Sequence, residues 1–265
     1  MLLHPRSTNR ELGFGPEIPS SFCSLGEARN SLDFHWNGCL NTSNAKGNTD
    51  NQLEMTQRYR RIFQQWSAAF QAFLEQSASE LSLRDVKGAA VLRISHRLAA
   101  MHFDSNMMAF AAQQTSWDKY RAEHEEIVSL VATIVEASPN TTGTEYQGAP
   151  SFSIDMNILA PLYSVAHRCR DPVVRRKAIS LLHATPRQEG IWNSTLVARA
   201  VERLIEIEEA GLVEINSCHD VPESSRISDL EVNMDLEKRQ ATIGYARYQS
   251  VLKETPKTII EVFQW

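Results

Sequence analysis

The feature that most limits what this chain can fold into is a stripe of apolar residues at helical spacing. Leu53, Tyr59, Ile62, Phe63, Trp66, Phe70, Phe73 and Leu74 share one side, and Arg58, Arg60, Arg61, Gln64, Gln65 and Gln71 fill the other. Glycine, at 11 of 265 residues, is sparse, which suits helices better than a turn-rich β-sandwich. The same periodicity predicts more helices. One opens at the capping-box pattern Ser24 to Glu27 and continues through Ala28, Leu32, His35, Trp36 and Cys39. A third is expected over about 83–103 and a fourth over about 116–137, charged in its first half (KYRAEHEE) and apolar in its second (IVSLVATIV). Three further helices follow: 155–169, interrupted by Pro161; one capped by Asp171 with Pro172 at its first position; and one from Asn193 to a stop at Gly211.

Past Gly211 the period changes from helical to alternating. LEVNMDL (230–236), QATIGYARY (240–248) and TIIEVFQW (258–265) read as three short strands, and no strand–helix–strand pattern accompanies them. The expectation is a mainly α fold: an irregular array of HEAT/TPR-like helix hairpins carrying a small C-terminal antiparallel β-hairpin or three-stranded sheet. The boundaries expected are an extended segment over 1–23, a helical regulatory-type domain over 24–212 with polar linkers near 41–51 and 138–153, and a β element over 229–265 packed on the helices. DPVVRRKAISLL (171–182) has the look of the second helix of a HEAT-type repeat, but it occurs once, and a solenoid needs several copies.

A net charge of −5 gives no general attraction for a phosphate backbone. Cys23, Cys39, Cys169 and Cys218 are scattered without a C-x-x-C pair, so they read as thiols in a reducing compartment and not as a zinc or redox site. The opening MLLHPRSTNRELGFG lacks the apolar core of a secretory signal, and no apolar run approaches the ~20 residues that span a bilayer. The chain is therefore expected in nucleus or cytoplasm, not secreted, and without a membrane partner; the N-x-[ST] triplets at Asn41, Asn140 and Asn193 are chance matches.

Candidate chemistry is thin. His96 and His102 lie six apart, off a common helical face, and His124-Glu125-Glu126 lacks the second histidine of H-E-x-x-H. Glu202, Glu206, Glu208 and Glu209 sit within a turn of Arg199 and Arg203 and read as a solvated, partly paired helix face. G-F-G-P is no phosphate loop, and no G-x-S-x-G occurs. The expectation is no catalytic, metal or cofactor site, and no cofactor.

One block resembles a known family. PLYSVAHRCRDPVVRRKAISLLHATPRQEGIWNS (161–194) resembles the signature block near the C-terminus of fungal binuclear zinc-cluster transcription factors, within their helical regulatory region. It carries P-L-Y (Pro161, Tyr163), C-R-D-P (Arg170, Asp171, Pro172), R-R-x-A (Arg175) and P-R-x-E-G-x-W (Pro186, Arg187, Glu189, Gly190, Trp192). ARAVERLIEIEE (198–209), the tail LEVNMDLEKRQATIGYAR and the early IPSSFCSLGEARNSLD (18–33) are similar to further parts of such proteins. These sequences contain no six-cysteine array of the kind that binds two zinc ions and places a helix in the major groove. The resemblance thus implies a transcription-factor-like regulatory module, linked to a secondary-metabolite gene cluster, that works in the nucleus through a protein partner or self-association and not by direct DNA contact. The signature residues are expected to act as caps, ion pairs and an anchoring indole, or as an interaction surface. The alternative is a small-molecule-binding helical protein with an effector-sensing or catalytic role, using a closed cavity near His96, His102 or Tyr163; a further one is DNA contact through the basic helix of Arg58, Arg60 and Arg61.

Overall fold

The computed structural model describes residues 16–43, 49–104, 113–136, 151–153, 158–190, 192–235, 238, 240–247 and 259–264. Most of the expected segment 1–23 and most of the second linker lie outside these residues. The chain forms two compact units, Met1–Leu81 and Ser82–Trp265. It is mainly α with a small antiparallel β part at its C-terminal end.

In the first unit, α1 (Leu25–Ser43) and α2 (Thr49–Gln76) both run further into the stretch 41–51 than a linker there allows. The N-terminus of α1 is capped as the sequence predicts. Ser24 Oγ accepts from the Glu27 amide at 3.1 Å, and the Glu27 carboxylate reaches back to the Cys23 amide at 2.6 Å. Trp66, on the apolar stripe of α2, is buried beside Phe22 and Phe70 and donates its indole N–H to the Ala28 carbonyl at 2.9 Å. At Gly38 a Cβ would meet the Tyr59 hydroxyl at 2.9 Å, so a larger residue there would have to displace the end of that side chain.

The second unit opens with α3 (Leu83–Asp104). A 3-10 helix, Gln114–Tyr120, leads directly into α4 (Arg121–Glu136), so the charged half of the expected fourth helix is partly 3-10. Then come α5 (Leu159–Arg168), α6 (Pro172–Ala184) and α7 (Ser194–Glu209). Asp171 caps α6 through bonds of 3.1 Å from the Val173 and Val174 amides, and Asn193 caps α7 in the same way. Pro161 does not interrupt its helix. It sits in the first turn of α5, ahead of the first intrahelical bond from the Leu162 amide to the Ile158 carbonyl, where a proline has no hydrogen bond to lose.

Three strands form the expected sheet: β4 (Ile227–Asp235), β5 (Gln240–Arg247) and β6 (Ile259–Gln264), antiparallel in that order. The pairs Leu230 with Tyr245 and Val232 with Ile243 place four apolar residues on one face. Ile243 and Tyr245 join the core built from α3 to α7, with Ile127, Leu162, Val165, Leu182, Val201 and Leu204. A second sheet was not foreseen. β1 (Ser151–Ser153), inside the stretch expected to be linker, runs parallel to β2 (Arg187–Glu189), and β2 turns back antiparallel to β3 (Trp192–Asn193). The reversal passes through Gly190 at φ +56°, the left-handed region that favours glycine.

Candidate functional site

The sequence motifs of 161–194 converge on one region of the second unit, around a buried carboxylate. Val197, Val201 and Leu204 form an inward stripe on α7, and Glu208 falls on the same stripe one turn later, fully buried. An isolated carboxylate there would be costly, so it needs cations. Two guanidiniums, both also inaccessible, supply them: Arg170 Nη2 at 2.7 Å from Oε1 and Arg175 Nη2 at 2.5 Å from Oε2. Oε1 also accepts from the Ile227 amide at 2.7 Å, at the start of β4. Arg170 donates onward to the Ile227 and Arg168 carbonyls, and Arg175 to the Ala166 carbonyl at 2.7 Å. One carboxylate thus joins the end of α5, the first turns of α6, the last turn of α7 and the first residue of β4. Burial alone would raise the Glu208 pKa, but the two arginines outweigh it and hold the group at about 2.

This corrects the reading of the four glutamates as one solvated face. Glu202, Glu206 and Glu209 do pair at the surface, with His183, Arg203 and Arg176 respectively. Glu208 does not belong with them.

The other signature residues take up neighbouring joints. Glu189, buried, receives the free Ile158 and Leu159 amides at 3.1 and 3.0 Å, an anion at the positive end of α5. Arg187 lies 3.3 Å from its second oxygen. Asp171 adds to its cap a 2.7 Å bond from Arg121, and this bonding overcomes burial to lower its pKa. Pro172 occupies the first position of α6, and Pro186 is exposed just ahead of β2. Tyr163 and Trp192 pack together with ring centroids 5.2 Å apart.

A third buried arginine, Arg226, was not singled out in the sequence. It meets Asp118 with two bonds of 2.6 and 2.8 Å and donates to the Cys218, Val221 and Gln114 carbonyls. Asp118, Cys218 and His219 bring possible ligand atoms within 4.8 Å of one another. Both Asp118 oxygens, however, already face a fixed guanidinium, and burial pushes the Cys218 thiol up, so these groups are poorly disposed toward a cation.

The histidines are distributed through the interior. His124, on α4, is buried with neither ring nitrogen hydrogen-bonded among the described residues; burial, then Arg170 and His102, lower its pKa to about 3. His102 stands edge-on to Trp117 at 5.5 Å and is lowered to about 4 by burial and Arg168. His167 is held well below 6.5 by burial and by Arg168, Arg170 and Arg175, and it hydrogen-bonds Ile227. These rings are neutral near pH 7. His96 is also buried. Neither His96 nor His102 is among the described residues that line a pocket with Tyr163. Tyr163 instead lines a half-open apolar pocket of about 220 Å³ with Trp192, Leu196, Val197, Ala200, Leu230 and Val232.

No protein-family model matches the chain, and no solved structure matches it. Among curated proteins, 141 residues are 33% identical to the aspercryptin biosynthesis cluster-specific transcription regulator of Emericella nidulans. That match covers 49% of this chain and 22% of the relative, so the chain spans about a fifth of the relative's length. The chain is therefore similar to part of a fungal, cluster-specific transcription regulator. No described helix is long and apolar enough to cross a membrane.

Proposed function

We propose that this chain is a transcription-regulator-like module that acts in the nucleus through protein contacts, in the control of a fungal secondary-metabolite gene cluster. The similarity to a cluster-specific transcription regulator carries the reading. The chemistry of the buried groups agrees with it. Glu208 is clamped between two arginines and held at about 2, which leaves it a poor proton acceptor near pH 7. The Cys169 thiol is pushed up to about 11 by burial, the reverse of what a nucleophile needs. Arg170, Asp171, Arg175 and Glu189 serve, in this reading, to hold helices in register so that the surface they frame keeps its shape. Partner contact falls to that surface. In this reading these residues contribute protein contacts, and the basic helix of Arg58, Arg60 and Arg61 is not a DNA-reading element.

The test is a tethered reporter. The full chain is fused to an unrelated DNA-binding domain in a fungal host whose reporter carries that domain's site. A change in reporter transcript of several-fold, up or down, relative to the DNA-binding domain alone supports the proposal. A transcript that stays at baseline while the fusion accumulates as folded protein refutes it.

A further inference from the structure

The signature residues divide by exposure. Arg170, Asp171, Arg175 and Glu189 are buried and spent on the joints between helices. Tyr163 and Trp192 remain half-buried, and both form wall of the same pocket. Three features build it. Gly190, at φ +56°, turns β2 into β3 and so delivers Trp192 to the first turn of α7. Leu196, Val197 and Ala200 of α7 form a second wall, and Leu230 and Val232 of β4 a third. The two aromatic rings meet at 54° and make a corner, the arrangement that receives a further flat ring edge-on or offset.

Volume sets the class of occupant. An apolar cavity of about 150 Å³ takes up benzene, and this pocket offers about 220 Å³. That is room for one or two fused rings and too little for a drug-sized molecule, whose sites run to roughly 300–1,000 Å³. The described lining is mainly apolar and has no charged side chain, so a carboxylate or ammonium seated inside the pocket finds no partner there. We infer that this pocket, framed by Tyr163, Trp192, α7 and β4, binds a small uncharged aromatic molecule of one or two fused rings. Tyr163 also packs on His167 with centroids 5.5 Å apart, and His167 bonds Ile227, the residue that Glu208 and Arg170 hold. A ligand on the aromatic corner therefore abuts the joint between α5 and β4. The inference concerns binding alone and stands or falls separately from the regulatory role.

The experiment uses the purified full chain with indole as probe, followed by the methyl resonances of Leu196, Val197 and Leu230 and the indole N–H of Trp192. Saturable shifts confined to these groups are expected, with a dissociation constant in the sub-millimolar to millimolar range that so few atoms allow, and a melting temperature that rises with indole concentration. Indole-3-acetate should bind at least tenfold more weakly. Ala200→Leu, which fills the pocket, should abolish the shifts; because Ala200 is buried, Leu230→Phe provides a second filling variant should the first fail to fold. No saturable shift up to the solubility of indole overturns the inference, as do shifts that persist in a folded, filled variant. So does dilution of the free protein moving the same resonances, since that result assigns the pocket to a second copy of the chain.

Discussion

Replacing Glu208 by glutamine leaves the shape of the interior almost unchanged and removes one negative charge from between two inaccessible guanidiniums. The magnitude follows from the site. A carboxyl held at about 2 against its ordinary 4.5 is stabilised by folding to the extent of roughly 3 kcal/mol. Breaking a buried ion pair by removing one partner costs about 3–5 kcal/mol, because the remaining charge has no counter-ion. For a unit of this size about 2–4 °C is lost per kcal/mol, so Glu208→Gln should melt roughly 6–20 °C below the parent. The sign with pH follows from the lowered pKa. The contribution is complete above pH 4.5 and disappears as pH falls toward 2, so parent and variant should differ fully at pH 7 and converge in acid. Urea unfolding at pH 7, read by far-ultraviolet dichroism, measures it. A variant within about 0.5 kcal/mol of the parent would refute the claim that this carboxylate is the joint of the fold, since ordinary surface substitutions fall in that band.

Three further outcomes follow from named groups. His124 and His102 are held at about 3 and about 4 against 6.5, so stability is complete above pH 6.5 and falls as pH drops toward 4; each should lose about 2 kcal/mol at pH 5. Urea titrations at pH 7.5 and 5.0 check this, and the loss between the two should shrink by about 4 kcal/mol in the pair His102→Phe and His124→Leu, leaving the part that buried His167 carries. Gly190→Ala meets no steric obstacle but forces an L-residue to φ +56°, and should cost about 1–2 kcal/mol by thermal denaturation. Asp171→Ala removes two cap bonds and the Arg121 pair, and should cost about 1–2 kcal/mol, with Asp171→Asn recovering most of it.

Much of this fold is legible residue by residue. The capping box of Ser24 and Glu27, the Asp171–Pro172 start, the Asn193 cap and the stop near Gly211 (φ +81°) are local chemistry, and local chemistry is what a sequence displays. The three alternating runs likewise became β4, β5 and β6. What stayed hidden depends on distant partners. The strands β1, β2 and β3 are two or three residues long, too short for any period to show, and β1 pairs with a segment more than thirty residues away. Glu208 was misread because its near neighbours in sequence, Arg199 and Arg203, supplied a plausible surface pairing. The signal that would have corrected it was present. Glu208 continues the inward row Val197, Val201, Leu204, and a carboxylate on such a row demands buried cations, which Arg170 and Arg175 provide. The Arg226–Asp118 pair, 108 residues apart, left no local trace.

The central claim is that the charged signature residues act by holding the fold and not by touching a partner. It is tested most directly by replacing Arg170, Arg175 and Glu208 together with Met, Met and Leu in the tethered reporter. Arg170 Nε and Arg175 Nη1 are buried without partners among the described residues, so the network is incompletely satisfied, and well-packed apolar replacements of such networks are often neutral or stabilising. The triple variant is expected to fold and to drive the reporter at the parental level, while Glu208→Gln alone falls with its lost stability. A triple variant as stable as the parent but silent in the reporter would contradict the account, because these side chains would then be needed for contact and not for structure.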